Sequence, residues 1–168
     1  TVEDFGFGTA NFAVEAWIYP TSTTGTSTIF DFRTGSDTDE APRVYQTGGV
    51  LKFASANVEH LSGGSLSLNT WQHVALARYN GTTRLYLDGS SVTGAGGDTD
   101  NRNYGNTKPL NIGSNYGTVG GDFFTGKIDE VRVSHGTARF TSNFTPPSSE
   151  YGTDVNTCLL YTSPSPRD

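Results

Sequence analysis

The chain has 168 residues, of which 33% are apolar, and a formal net charge of −6 at pH 7. This length suits a single domain that closes one hydrophobic core of its own. Because the basic residues form no stripe and no apolar run is long enough to span a bilayer, we expect neither a nucleic-acid partner nor membrane insertion.

The first half of the chain is predicted to consist of short strands. Apolar and other residues alternate in the first strand with the period of two that a half-buried strand requires, and Pro20 ends it because proline lacks a donor for the ladder. Gly48-Gly49 can take the positive φ of a hairpin turn between two later strands. The strands predicted here are Asn11 to Tyr19, Ser27 to Arg33, Arg43 to Gln46 and Val50 to Ala54.

The clearest pair of strands lies in the second half, where Asn80-Gly81 favours a type I′ turn with positive φ between Trp71 to Tyr79 and Thr83 to Asp88. The polar segment from Asp88 to Lys108 is predicted to be an exposed loop. No segment shows a helical period, so an all-β fold is predicted. The remaining predicted strands are Ser90 to Thr93, Leu110 to Gly113, Phe123 to Gly126 and Lys127 to Ser134.

Three blocks of the sequence carry a resemblance to a known family. They are F-A-V-E-A-W-I-Y-P from Phe12 to Pro20, N-T-W-Q-H-V-A-L-A-R-Y-N-G-T-T-R-L-Y-L-D-G from Asn69 to Gly89, and F-F-T-G-K-I-D-E-V-R-V from Phe123 to Val133. In sequence and order they are similar to laminin-G-like and concanavalin A-like lectin domains, which include pentraxin-like jelly rolls. The resemblance implies an antiparallel β-sandwich, a concanavalin A-like jelly roll, over residues 1–150.

The resemblance also implies a class of function. Modules of this family bind glycans or protein partners on secreted proteins, surface adhesins and phage tail fibres, and T-S-N-F-T-P-P from Thr141 to Pro147 looks like a variant found in phage-borne members. We expect a non-catalytic carbohydrate-binding module in an extracellular, cell-surface or virion setting. A protein-interaction or spacer domain is the alternative, because fold alone does not fix function.

The last eleven residues, C-L-L-Y-T-S-P-S-P-R-D from Cys158 to Asp168, resemble the translation of one reading frame of a transposase adapter used in sequencing libraries. A natural Pro/Ser-rich linker is the alternative. We interpret residues 151–157 as the start of a linker and residues 158–168 as a tail foreign to the domain, in which Pro164 and Pro166 disfavour regular pairing.

The candidate ligand-binding residues are those that suit a sugar. Aromatic rings contact the apolar side of a sugar ring, and amides and carboxylates bind its hydroxyls. Trp17 and Trp71 lie within strand patterns and are interpreted as packing residues of the sandwich. Residues of the required types in loop segments are Asp100, Asn101, Asn103, Tyr104, Asn115 and Tyr116.

Calcium is the candidate cofactor because hard oxygen ligands cluster in two loops. Neither loop completes an EF-hand, since Ala41 and Arg102 stand at the fifth positions, and a solvated acidic loop is the alternative. A zinc site is not expected, because the three histidines are scattered and the one cysteine lies in the tail. The candidate calcium ligands are Asp37, Asp39, Glu40, Asp98 and Asp100.

A glycoside hydrolase of the same fold is a further alternative. Laminarinase-type relatives carry E-x-D-x-x-E on one strand, and the local match K-I-D-E-V-R, from Lys127 to Arg132, lacks both glutamates of that motif. Strand alternation would place Asp129 and Glu130 on opposite faces, where they cannot flank one glycosidic bond. We therefore expect no catalytic activity.

Overall fold

The regular secondary structure of the described residues consists of β-strands. The structure is a computed structural model, and it describes residues 5–35, 38–94, 96–105, 108–116 and 121–162. Strands β1 to β7 are Phe12–Pro20, Thr26–Asp31, Arg43–Thr47, Val50–Ser55, Val58–Ser65, Gln72–Tyr79 and Thr82–Leu87. Strands β8 to β12 are Ser90–Ser91, Asp98–Thr99, Asn111–Ile112, Gly126–His135 and Thr157–Tyr161.

These strands form two antiparallel sheets, which confirms the predicted β-sandwich. In the described part of the chain, the first sheet has seven strands in the order β12-β11-β1-β6-β7-β8, with β9 also paired to β7. The second sheet has five strands in the order β10-β2-β3-β4-β5. None of the described residues belongs to a helix that is long and apolar enough to cross a membrane.

Two strands differ from the sequence prediction. Strand β5 was not predicted, because V-E-H-L-S-G-G-S has little apolar content, and it lies at the edge of the second sheet where most of its side chains are partly or fully exposed. The separate strand predicted from Phe123 to Gly126 is wrong. Residues 121–125 are irregular, and Gly126 instead begins the long strand β11.

The hydrophobic core lies between the two sheets. Alternation along β1 turns Phe12, Val14, Ala16 and Ile18 inward, where each is fully buried. Facing residues on β2 to β5 fill the other side of the core, with Phe53 among them. Burial of these side chains supplies most of the free energy that holds the sheets together, at about 25 cal/mol per Å² of apolar surface.

The predicted hairpin between β6 and β7 is confirmed. Its tip has positive φ at both central residues, 47° at Asn80 and 71° at Gly81, as a type I′ turn requires. Val74 and Leu76 pair across the strands with Leu87 and Leu85, and all four side chains face the core.

The outer face of the first sheet is partly covered by the chain that follows β11. We call residues 136–156 the strap. Phe140 and Phe144 of the strap stack on one another with ring centroids 3.8 Å apart, and both pack on Tyr86 of β7. Together with small alanines of β1 and β6 they form a second, smaller apolar cluster outside the main core.

A buried polar cluster lies beneath the strap. One carboxylate oxygen of Glu15 accepts hydrogen bonds from Arg132 Nε at 2.8 Å and Nη2 at 2.7 Å. The other oxygen lies 3.1 Å from His73 Nε2, which lies 2.8 Å from the hydroxyl oxygen of Tyr151. Because Glu15 and His73 are fully buried, these contacts fix Tyr151, and with it the end of the strap, on the sheet.

Regular pairing continues beyond residue 150, in contrast to the expectation that the tail would not pair. Strand β12 pairs with the edge of β11, from Ser134 opposite Thr157 to Val131 opposite Tyr161. The prolines that were expected to prevent pairing lie after the paired residues, and ladder hydrogen bonds join backbones whatever the side chains are. The resemblance of the tail to an adapter remains a prediction about its origin.

Gly89 is predicted to be essential for seating the strap. Its φ is +76°, and a Cβ added there would overlap the carbonyl oxygen of Phe144. Gly89→Ala should therefore lower the free energy of unfolding by more than the roughly 1–2 kcal/mol that a left-handed backbone costs. Gly25→Ala is the matched control, since Gly25 has a φ of +70° with no atom within 4 Å. Equal losses in urea unfolding would show that the contact is unimportant.

Candidate functional site

Three aromatic side chains lie together on the outer face of the first sheet, beyond the strap. We call Trp17, Tyr19 and Trp71 the aromatic strip. Trp17 and Tyr19 are two residues apart on β1, and the rings of Tyr19 and Trp71 meet edge to face with centroids 5.5 Å apart. All three side chains are partly exposed. The arrangement presents aromatic surface to solvent along the end of two neighbouring strands.

Backbone and side-chain contacts hold the strip in place. The Asn69 amide donates to the Pro20 carbonyl at 2.8 Å, which brings the segment before β6 against the end of β1. The Trp17 ring meets the buried His73 ring edge to face at 5.4 Å. Lys127 pairs with Tyr19 across the strands and places its ammonium 5.5 Å from the centre of the Tyr19 ring. The strip therefore combines fixed rings with one mobile cation.

The interpretation of Trp17 and Trp71 as packing residues inside the sandwich is wrong. Neither belongs to the core between the sheets. The signal was present in the sequence, because the alternation that turns Val14, Ala16 and Ile18 inward turns Trp17 outward. The position of the Trp71 side chain on the outer face depends on its contact with Tyr19, and the sequence gives no sign of that contact.

Asp100 and Tyr104, two of the predicted ligand-binding residues, are buried. Their side chains have 2% and 0% relative exposure. The Tyr104 hydroxyl donates to Asp100 Oδ2 at 2.6 Å, and the Thr83 hydroxyl donates to the same oxygen at 2.5 Å. Arg78 and Arg102 place guanidinium nitrogens 3.7 and 2.9 Å from Asp100 Oδ1. This network anchors a loop to the sheet, so the prediction of an exposed loop fails at these two residues.

The Asp100 network perturbs two pKa values. Burial by itself raises the pKa of Asp100, but hydrogen bonds from Thr83, Tyr104 and the Arg102 backbone outweigh it, and the pKa lies below its usual value. Burial, with the neighbouring Asp100 charge, raises the pKa of Tyr104 far above its usual range. Asp100 is therefore ionised and Tyr104 protonated at neutral pH, as the hydrogen bond between them requires.

The other four predicted ligand residues separate into two groups. Asn101 and Asn103 are exposed beside the Asp100 network. Asn115 and Tyr116 lie instead against the second sheet, where the Tyr116 amide donates to Asp31 Oδ2 at 3.1 Å. The structure thus does not assemble the six residues into a single patch.

A small cleft of about 90 Å³ on the outer face of the second sheet adjoins Tyr116. The Arg33 guanidinium, which pairs with Asp31 at 2.6 Å, also covers the Tyr116 ring at 4.3 Å. Arg43 covers the Tyr45 ring in the same way at 4.6 Å. Since a guanidinium already occupies one face of each ring, these rings offer less free aromatic surface than the strip. The cleft is lined by Arg33, Arg43, Tyr45, Ala54, Ser55, Asn57 and Glu59.

Three of the carboxylates predicted to bind calcium, those of Asp39, Asp98 and Asp100, pair with cationic side chains of the protein. Asp39 accepts from the Thr34 amide and hydroxyl, both at 2.8 Å, and pairs with Lys108. Asp98 pairs with Arg102 at 2.8 Å. Within the described ranges, no three His, Cys, Asp or Glu side chains cluster as a metal site would require. Glu40 is exposed, and Asp37 lies outside the described residues.

Asp129 and Glu130 are both buried, with 5% and 2% exposure. Glu130 adopts a positive φ of 52° where the pairing of β11 with β1 is irregular, and its carboxylate accepts from the Tyr151 amide at 2.8 Å. Glu130 therefore helps to hold the strap, a role that explains the residue without catalysis.

The comparisons with known proteins agree on the fold. A model of the concanavalin A-like lectin/glucanases superfamily matches residues 1–139. No curated protein matches the chain in sequence. A solved structure titled as a putative carbohydrate binding protein from Bacteroides ovatus is 22% identical with a TM-score of 0.58, over 92% of this chain and 46% of its own.

Two further solved structures have the same fold. Domain 4 of the extracellular arabinanase AbnA from Geobacillus stearothermophilus, in complex with arabinotriose, is 21% identical with a TM-score of 0.55, over 76% of this chain and 62% of its own. Domains LG4-5 of the mouse laminin alpha1 chain are 13% identical with a TM-score of 0.60, over 99% and 44%. At these identities the likeness shows the fold, and the chain spans about half to two thirds of each of these three structures.

Asp100 is predicted to make stability depend on acid pH. A carboxyl group whose pKa is depressed on folding stabilises the protein above its unfolded pKa, about 3.9, and that contribution is lost as pH falls through the folded pKa. Asp100→Asn should lower the free energy of unfolding by about 3–5 kcal/mol at neutral pH, because it leaves Arg78 buried without its charged partner. The variant should also lose less stability than the wild type as the pH falls. Asp98→Asn breaks a more exposed ion pair, so it should lower the free energy of unfolding by about 1 kcal/mol or less. Urea unfolding between pH 2 and 7 measures both, and similar losses would refute the anchoring role.

Proposed function

The chain belongs to the concanavalin A-like lectin/glucanases superfamily, and we propose that it is a non-catalytic carbohydrate-binding module. The observation that carries this proposal is the aromatic strip on the outer face of the first sheet. Three partly exposed rings on adjacent strands give a firm apolar surface beside polar side chains. This is the chemistry that the apolar face and the hydroxyl edge of a sugar require.

The dimensions of the strip favour a chain of sugar rings over a protein partner. The strip consists of only three aromatic residues, at the end of β1 and just before β6, and the Lys127 ammonium lies beside the Tyr19 ring. Stable protein interfaces commonly bury about 800 Å² on each side, which needs a far broader surface. We therefore assign the strip to a polysaccharide or oligosaccharide and keep a protein-interaction or spacer role as the alternative.

Two solved structures of the same fold support the proposal of carbohydrate binding. The domain of AbnA that shares the fold is described in complex with arabinotriose, and the Bacteroides ovatus structure is titled as a putative carbohydrate binding protein. On this basis we propose an extracellular, cell-surface or virion setting, in which the module attaches a larger protein to glycans. More specifically, we propose that this larger protein is an adhesin or a phage tail fibre.

Calcium is not part of this proposal. Of the predicted calcium ligands, Asp39 is neutralised by Lys108, and Asp98 and Asp100 are neutralised by Arg102, so these three carboxylates do not fit a cation site in this arrangement. Calcium binding remains a prediction of the sequence, and calorimetric titration of the protein with calcium tests it.

The aromatic strip gives a direct test of sugar binding. Tyr19→Ala and Trp71→Ala should each weaken binding to the polysaccharide that the wild type retains by about fivefold or more, since losing one stacked ring costs on the order of 1 kcal/mol or more. Affinity electrophoresis against a panel of plant, algal and bacterial polysaccharides would identify that ligand, and calorimetry with its oligosaccharides would give the affinities.

Tyr79→Ala is the matched control for this experiment. Tyr79 is a similarly exposed tyrosine, 43% accessible, at the opposite end of β6 from Trp71. It should bind as the wild type does. If no polysaccharide or glycan in the panel is retained, or if all three variants bind equally well, the strip is not a sugar site and the protein-interaction alternative gains support.

The wild-type protein should release no reducing ends from the same polysaccharide panel. The Asp129 and Glu130 carboxylates of β11 are buried and accept hydrogen bonds from backbone amides, so they do not form the exposed pair that either hydrolytic mechanism needs. A reducing-sugar assay with overnight incubation measures this. Release that is lost in Glu130→Gln, with the fold retained, would assign a catalytic role to that residue.

A further inference from the structure

A groove of about 510 Å³ opens on the outer face of the first sheet, at the edge opposite β11. It lies between β7, β8 and the strap, and none of its lining residues belongs to the aromatic strip. Its volume falls within the usual range for small-ligand sites, about 300–1,000 Å³. It is lined by Arg84, Tyr86, Ser91, Gly94, Thr141, Ser142 and Asn143.

The walls of the groove are fixed by the contact between the strap and the turn from β7 to β8. The Ser91 amide donates to the side-chain oxygen of Asn143 at 2.9 Å. The Phe144 amide donates to the Gly89 carbonyl, also at 2.9 Å. Arg84 and Tyr86 are two residues apart on β7 and therefore share its outer face. The groove is thus a formed feature of the fold and needs no ordering of a loop.

The chemistry of the lining is that of a site for a small hydroxylated anion. Arg84 brings a positive charge, none of the lining residues is acidic, and the protein as a whole carries a net charge of −6. Two hydroxyls of the lining, those of Tyr86 and Ser91, are buried and reach no hydrogen-bond partner among the described residues. Burial raises the pKa of Tyr86, so its hydroxyl remains protonated and able to donate.

We propose that this groove binds a sugar that carries a carboxylate. Arg84 would hold the carboxylate, because a guanidinium presents paired donors that match the two oxygens of that group. The hydroxyl and amide side chains of Thr141, Ser142 and Asn143 would bind the ring hydroxyls. The groove shares no lining residue with the aromatic strip. Sugar binding at the groove can therefore be tested separately from sugar binding at the strip.

Two matched pairs of probes test the proposal on the whole chain. Digalacturonic acid is compared with α-linked galactobiose, and sialyllactose with its carboxylate methyl ester, so that within each pair the carboxylate is the main difference. Binding is followed by NMR chemical-shift titration and calorimetry. We expect saturable binding of at least one acid, with its shifts at the groove, and affinity for its neutral counterpart lower by about tenfold or more, as expected for a charged hydrogen bond.

Variants then locate the site. Arg84→Gln should lower affinity for the acid by about tenfold or more, and Arg84→Lys, which keeps the charge without the paired donors, should lower it less. Lys52→Gln removes the same charge from the second sheet and should change nothing. Failure of both acids to saturate, equal binding of the neutral sugars, or undiminished binding by a folded Arg84→Gln would overturn the proposal. So would loss of acid binding in Trp71→Ala, since it would move the site to the strip.

Discussion

The two faces of the first sheet impose the constraint on which the rest of the molecule depends. One face closes the core against the second sheet, so every other residue of β1, β6, β7 and β11 must point to the opposite side. A seven-stranded sheet has too much outer surface to leave its apolar parts in water, and the strap covers the centre of that face through Phe140 and Phe144. Both proposed binding sites lie on the parts of this face that the strap leaves uncovered. The aromatic strip lies at the strand ends and the groove lies at the β7–β8 edge.

Buried ion pairs fix the irregular parts of the chain to this framework. Asp100 with Arg78 of β6 anchors the loop after β9, and Asp31 with Arg33 anchors the segment after β10 through the Tyr116 amide. Glu15 does the same for the strap. Such pairs add little net stability, because desolvation offsets most of the Coulomb attraction, but breaking one leaves an uncompensated buried charge. They therefore serve to hold each loop in a single position.

The sequence predicted the sheets far better than it predicted the site. Period-two alternation and the Asn80-Gly81 turn are local signals, and they placed β1, β6 and β7 correctly within a residue or two. Tyr104 was misplaced because its loop is rich in Gly, Asp and Asn, which are typical of exposed segments. Its burial depends on Arg78, a residue distant in sequence, whose guanidinium stacks on the Tyr104 ring at 4.6 Å. Tertiary packing determines contacts of this kind, and the amino-acid composition of the loop does not reveal them.

The position of β1 in the first sheet affects how the domain folds during synthesis. Both of its neighbours in the sheet, β6 and β11, come from much later in the chain, and the residue that closes its outer face, Tyr151, comes later still. A nascent chain emerging from the ribosome therefore exposes the apolar side of β1 until nearly the whole domain has been synthesised. Pairings of such long sequence separation fold slowly, since much loop entropy is lost before any contact compensates for it. The first sheet is thus completed only after β11 has emerged from the ribosome, and chaperones that shield unpaired strands would raise the yield of native protein.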